Sequence, residues 1–201
     1  MIETILLTGA GDLSFALKKK LSERYLVLNP NKLELDVSNV ESVENFFSRE
    51  KVDIVVNLAG TLHSATILES NIAKWVNDIN VNLIGTYLIS RFALTSNSKT
   101  KIINISSTAA FNSYADWSSY CASKAGVLKI SNALALDGFE VVTLCPGAIE
   151  TKLRDGLCIE NPEIMSIDEG IEPIIKAIDG EYDSGDIVFY RKNQCKILRE
   201  I

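Results

Sequence analysis

The sequence predicts a doubly wound α/β fold: a mostly parallel sheet flanked by helices on both faces. Three observations lead there. Apolar runs of strand length alternate with helix-length stretches along the chain, which is the pattern of βαβ units. The runs Ile5-Leu6-Leu7, Ile54-Val55-Val56 and Ile102-Ile103 are apolar on successive residues, as strands covered on both faces must be. A glycine turn, Thr8-Gly9-Ala10-Gly11-Asp12, stands between the first apolar run and the first helical stretch. That is where a Rossmann-type sheet brings backbone amides up to a pyrophosphate.

The first strand is expected near 4–8 and the first helix near 13–23. Strands follow near 25–29 and 33–36, separated by only Pro30-Asn31-Lys32. A parallel crossover needs roughly a dozen residues, so this region is either a truncated crossover or one bent segment. A helix near 39–49 opens at Ser38 or Asn39, whose side-chain oxygens can take the orphan amides of a first turn. Next come a strand near 53–58, a long helix near 71–97, a strand near 101–106 and a helix near 117–137. The chain closes with a strand near 140–145, a helix near 168–178 capped by Ser166 or Asp168, and a strand near 186–190. Helical periodicity fails over 152–167, where a substrate loop is expected.

Composition narrows the function classes. The 201 residues are 47% hydrophobic and 23% charged, with four prolines and eleven glycines. These values describe a packed chain, expected to form a single domain over 1–201. The formal net charge is −6 with no long single-sign block, so a basic footprint for nucleic acid or anionic lipid is missing. Cys121, Cys145, Cys158 and Cys195 match neither a zinc pattern nor a dense disulfide framework, and are expected to be reduced and mostly buried. The amino-terminal residues show no secretory pattern and no apolar run is long enough to span a membrane, so a cytoplasmic protein is expected. His63 is the only histidine. Acid–base chemistry must therefore come from Tyr, Lys, Asp, Glu or Ser. His63 itself reads best as a solvated loop residue, and Trp75 and Trp117 as packing or subunit-contact residues.

Tyr120 and Lys124 are four apart, which on a helix puts both side chains on one face. A nearby ammonium favours the phenolate of a tyrosine whose ordinary pKa is about 10. Taken alone, such a pair more often marks a surface tyrosine beside a solvated lysine. In combination with other segments, however, it resembles the short-chain dehydrogenase/reductase family. The glycine turn Thr8-Gly9-Ala10-Gly11 is similar to that family's cofactor turn, Asn57-Leu58-Ala59-Gly60 to its Asn-Asn-Ala-Gly motif, and Val81-Asn82-Leu83-Ile84-Gly85 to its Asn-bearing helix. Ser107 ends a strand thirteen residues before Tyr120 of the Tyr-x-x-x-Lys motif, and Pro146-Gly147-Ala148-Ile149-Glu150-Thr151 completes the series.

The resemblance implies an NAD(P)-dependent oxidoreductase that interconverts a small-molecule carbonyl and a secondary alcohol. It makes Tyr120 the general acid/base, Lys124 the residue that lowers the Tyr120 pKa and holds the nicotinamide ribose, Ser107 the partner of the substrate oxygen, and Asn82 a support for Lys124. It assigns cofactor contacts to Thr8, Gly9, Gly11, Asp12, Leu13, Asn29, Asp36, Val37, Asn57, Ala59, Gly60, Pro146, Gly147, Ile149 and Thr151, with no metal. Asp36 reads equally well as a loop residue approaching a helix. Asn29 stands at the end of the second strand, where an acid would select NAD, and Lys32 lies three residues on; the pair leans weakly to NADP. The resemblance also implies a homodimer or homotetramer through the two long helices. The rival readings are a dinucleotide-binding regulator or scaffold without turnover, favoured by the altered glycines, and a sugar-nucleotide epimerase or dehydratase using the same Tyr and Lys.

Overall fold

The computed structural model describes residues 2–155, 157 and 161–199. Cys158 and positions 156, 159 and 160 of the expected substrate loop lie outside the described residues. Seven strands form one sheet in the order β2-β1-β3-β4-β5-β6-β7. They are β1 Thr4–Leu7, β2 Leu26–Leu28, β3 Ile54–Asn57, β4 Lys101–Ile105, β5 Val141–Pro146, β6 Ile187–Arg191 and β7 Gln194–Leu198. All neighbouring pairs are parallel except β6 with β7.

The unbroken apolar runs are explained by two helical layers. Ile5, Leu7, Ile54, Val56, Ile103 and Ile105 face α1 (Asp12–Leu21) and α6 (Ile167–Ile178) through Leu17, Leu21, Ile171 and Ile174. The intervening Leu6, Val55 and Ile102 face α2 (Val40–Phe47) and α4 (Gly85–Ser96) through Val43, Phe46, Leu88 and Ile89. Helix α5 (Ser118–Leu136) lies on that second face beside α4. A period of two along each strand thus feeds two cores, and every residue of β3, β4 and β5 is removed from water.

Helix starts follow their capping side chains. The Asn39 side chain accepts the Ser42 amide at 2.8 Å, while Ser38 turns back to bond Asp36. Ser166 and Glu169 form a reciprocal capping box at the start of α6.

Three expectations need correction. No strand forms over 33–36. Instead the Asn31 carbonyl accepts the amides of Glu34 and Leu35, and the Asn31 side chain accepts the Leu33 amide. Local side-chain bonding by Asn31 holds a turn there. Leu33 is 98% exposed and only Leu35 is buried. The helix expected over 71–97 is three consecutive pieces: α3 (Ile72–Asp78), a π-helical segment (Ile79–Ile84) and α4. The last strand is joined by a hairpin partner, β7, through a turn in which Asn193 adopts φ 60°. Among the cysteines, Cys145 is buried, Cys121 half-buried and Cys195 exposed on β7, all as free thiols.

Candidate active site

At the carboxyl ends of the strands a cleft of about 720 Å³ opens. The glycine turn, Ser107, Tyr120 and Lys124, and Pro146, Gly147, Ile149 and Thr151 all line it.

The glycine turn is shaped by its neighbours. Gly9 has φ +78°, and a Cβ there would stand 2.9 Å from the Ala59 Cα. Thr8 is buried, and its Oγ1 accepts the amides of Leu58 and Ala59 at 3.0 and 3.1 Å, tying β1 to the end of β3. Ser14 stands one helical turn beyond Gly11. Its Oγ accepts the Gly11 amide and donates to the Gly11 carbonyl at 3.0 and 2.8 Å. That hydroxyl closes a turn with fewer glycines than the family pattern. Gly11, Asp12 and Leu13 all line the cleft, with open space where a Gly11 Cβ would stand. The Asp12 carboxylate is already engaged, accepting the Lys152 amide at 2.7 Å across the mouth.

Tyr120, Lys124 and Ser107 are brought together by α5 and the end of β4. Tyr120 is 8% exposed and Lys124 5%. Lys124 Nζ donates to the Ile105 carbonyl at 2.9 Å and lies 5.6 Å from the Tyr120 ring centroid. Ser107 Oγ accepts the Ala109 amide at 3.1 Å. Burial pushes the Tyr120 pKa up to about 12; a hydrogen bond from Ser107 and the charge of Arg154 act against it, while Asp78 adds to it. Burial pulls Lys124 down to about 8, opposed by Cys145 and Asp78. The Lys124 Nζ is turned to a strand carbonyl, and burial is the largest influence on the tyrosine's protonation state.

Asn82 does not line the cleft. It is fully buried in the π-helical segment, where its amide bonds both the N–H and C=O of Thr61 and the Ser123 hydroxyl. Gly60 fits between the two assigned side chains, since a Cβ there would lie 3.4 Å from Asn82 Oδ1 and 3.8 Å from Lys124 Nζ. The extra residue of a π turn re-aims the side chains of one turn, and here it coincides with Asn82.

The side chains of several residues expected at the cofactor are also bonded within the fold. Asn57 is buried in the sheet. Its Nδ2 reaches Asn104 Oδ1 at 2.8 Å and Ser90 Oγ at 3.3 Å, and Asn104 Nδ2 continues to Ser131 Oγ at 2.9 Å. These four side chains form a polar crossbar from α4 through β3 and β4 to α5, and Asn57 Oδ1 is left without a partner. Asn29 donates to the Leu7 and Gly9 carbonyls, both at 2.9 Å, bracing the glycine turn. Asp36 binds Ser38 and pairs with Lys32 at 3.7 Å. Although burial acts upward on it, these partners hold its carboxyl below the ordinary value. Lys32, the cation expected to draw a 2′-phosphate, thus already has a counter-ion. Val37 is buried against Gly85, and neither Val37 nor Ala59 lines the cleft.

Sequence reasoning missed Asp78, a buried carboxylate that accepts from Thr61 Oγ1, the His63 amide and Ser119 Oγ at 2.7, 2.8 and 2.6 Å. His63 lies in a loop, half-buried, with Nε2 accepting the Asn71 amide at 3.1 Å. Trp75 packs as expected, donating to Ser118 at 2.9 Å. Trp117 and Arg154, by contrast, line the cleft. The only sequence signal for either is its nearness to a motif, Trp117 three positions before Tyr120 and Arg154 three after Thr151, and that spacing does not single them out.

A family model described as short chain dehydrogenase matches residues 17–160. An uncharacterized oxidoreductase of Thermotoga maritima is 32% identical over 154 residues, 70% of this chain and 60% of that protein. A meso-2,3-butanediol dehydrogenase of Serratia marcescens is 30% identical, over 62% of this chain and 54% of that one. A 3-oxoacyl-(acyl-carrier-protein) reductase of Aquifex aeolicus is 28% identical, over 75% and 65%. The chain thus spans 54–65% of the length of these curated relatives. Among solved structures, a short chain dehydrogenase from Burkholderia cenocepacia in complex with NADP superposes with TM-score 0.79 at 24% identity, covering 90% of this chain and 86% of that one. A small-chain dehydrogenase in complex with NADPH gives 0.82 at 15% identity, covering 94% and 96%. These likenesses show the fold.

Proposed function

The chain belongs to the short-chain dehydrogenase family, and from that premise we propose that it is an NAD(P)-dependent oxidoreductase interconverting a carbonyl and a secondary alcohol. The observation that carries this reading is the convergence of Ser107, Tyr120 and Lys124 in the cleft that the glycine turn also lines. The residues present fit a dinucleotide. Gly11 leaves open space beside the backbone, and the first-turn amides of Asp12 and Leu13 have no intrahelical acceptor, as an anion at that terminus requires. Gly9, Gly60, Pro146, Gly147, Ile149 and Thr151 would border it. A bound nicotinamide supplies or accepts the hydride at the carbonyl carbon.

In reduction, the neutral Tyr120 phenol gives its proton to the carbonyl oxygen as negative charge develops there, and Ser107 hydrogen-bonds the same oxygen. Lys124 stands behind the ring as the cation that balances the departing proton, and solvent returns that proton. With Lys32 paired to Asp36, the tilt toward NADP rests on the absence of an acid at Asn29 and amounts to about tenfold or less. We further place the protein in the cytoplasm. Among the described residues no helix is long and apolar enough to cross a membrane.

A screen of carbonyl compounds that follows oxidation of NADH and NADPH tests the reading, which predicts turnover of at least one ketone. The rival of a non-catalytic dinucleotide-binding regulator has one observation in its favour, the Ser14 hydroxyl occupying the Gly11 amide. It predicts cofactor binding with no turnover of any ketone.

A further inference from the structure

Helix α5 carries Tyr120 in its first turn, yet that turn opens at Trp117 with no side-chain cap. First-turn amides have no intrahelical acceptor, so an uncapped start frays readily. Two side chains of α3 hold it from outside instead. Trp75 Nε1 donates to Ser118 Oγ at 2.9 Å, and Ser119 Oγ donates to the Asp78 carboxylate at 2.6 Å.

The other donors to Asp78 come from the loop that follows Gly60. They are Thr61 Oγ1 at 2.7 Å and the His63 amide at 2.8 Å. One carboxylate thus ties that loop to the start of α5. A second tie runs beside it. Asn82 bonds both backbone groups of Thr61 and donates to Ser123 Oγ, and that hydroxyl donates to the Tyr120 carbonyl at 2.8 Å. Tyr120 is therefore bracketed: Ser119 before it and Ser123 after it each reach Thr61 through a single side chain.

The tyrosine ring is held differently. Trp117, whose indole Nε1 is buried without an acceptor, stands edge-on to it at 6.0 Å between centroids. Such packing is not directional, so the hydrogen bonds to the backbone and to Ser119 must set where the turn sits. Asp78 is 1% exposed. A buried carboxylate is a weak source of stability, because desolvation offsets what its bonds return. What it supplies is direction, with three donors from separate chain positions converging on two oxygens.

We propose that Asp78 is a positioning residue, acting through Ser119 and Thr61 to hold the Tyr120 hydroxyl in register with the loop at the dinucleotide. This rests on the oxidoreductase reading above. Ser119→Ala removes one oxygen and cuts the arm to α5. Thr61→Val keeps the side-chain shape and cuts the arm to the loop. With NADPH and the ketone turned over fastest in the screen, each should lower kcat by about tenfold or more, since a small misplacement of a reacting group is costly. In Ser119→Ala the KM for NADPH should stay within about twofold of wild type. Made in a Tyr120→Phe background, Ser119→Ala should leave the residual rate where it is, because the hydroxyl being positioned is gone. An unchanged kcat in both single variants overturns the proposal. So does an equal fractional loss with and without the Tyr120 hydroxyl, which marks a bond that serves only the fold.

Hydrogen exchange gives a readout that needs no turnover. The Cys121 amide bonds the Trp117 carbonyl at 2.8 Å in the first turn of α5, and the His63 amide bonds Asp78. Ser119→Ala should speed exchange over 61–63 and 118–121 together, by about tenfold, while the far half of α5 stays protected. That paired response upholds the tie even if wild type reduces no ketone, and it is then the oxidoreductase reading that falls. Reduction of a ketone by wild type, with exchange over both segments unmoved in Ser119→Ala, rejects the tie and leaves the oxidoreductase reading standing.

Discussion

Tyr120 is held as a phenol, with its pKa pushed up to about 12 by burial. It therefore carries its proton throughout the neutral range and is poised as an acid. Tyr120→Phe keeps the ring and removes the proton; turnover should drop by about a hundredfold or more while NADPH affinity, read by fluorescence titration, stays near wild type. The pH profile belongs to Lys124, which burial brings down to about 8. The ammonium is present below that pH and lost above it, so kcat/KM for reduction should fall on the alkaline side. Asp78 acts upward on both Tyr120 and Lys124. Asp78→Asn removes an anion that favours the ammonium, so the alkaline limb should move to lower pH; a limb that stays in place would remove Asp78 from the site's electrostatics. Tyr120, Lys124 and Ser107 were legible in the sequence because their spacing follows from one helix and one strand end. Asp78, Trp117 and Arg154 were not, because what makes each notable is burial or an unpaired group created by distant chain segments.

At the scale of elements, the parallel strands were legible from unbroken apolar runs, each residue having a core on its own side of the sheet. Strand β7 was not, since it is an edge strand with four of five residues exposed and carries no such run. The π-helical segment was hidden for a different reason. Its residues Ile79–Ile84 are compatible with an ordinary helix, and the shift in hydrogen bonding is set by packing, with Gly85 against Val37 and Gly126 against Leu83. The glycine turn gives the sharpest test of local geometry. Gly9→Ala meets both a positive φ and the Ala59 backbone at 2.9 Å. It should cost about 1–3 kcal/mol in urea denaturation and weaken dinucleotide binding as well. An unchanged denaturation midpoint would show that the turn relaxes freely.

For the whole molecule, the run of α3, the π-helical segment and α4 exposes the apolar side chains Ile72, Val76, Ile84 and Tyr87. We expect a homodimer or larger assembly to cover them. Light scattering at micromolar concentration should give at least twice the 22.1 kDa chain mass, and Tyr87→Asp should shift the protein toward monomer. The strand order has its own consequence. Only β2, three residues long, lies beyond β1, so the switch point between β1 and β3 is one strand from the margin of the sheet. Ligands of such sheets lie across the carboxyl ends at that point. The adenosine end of a dinucleotide would then have only a narrow ledge, since the Asn29 and Asp36 side chains are bonded to the chain's own groups. Grip would fall mainly on the nicotinamide end. Reduced nicotinamide mononucleotide, which has no adenosine, should therefore bind within about tenfold of NADH, a loss of roughly 1.4 kcal/mol.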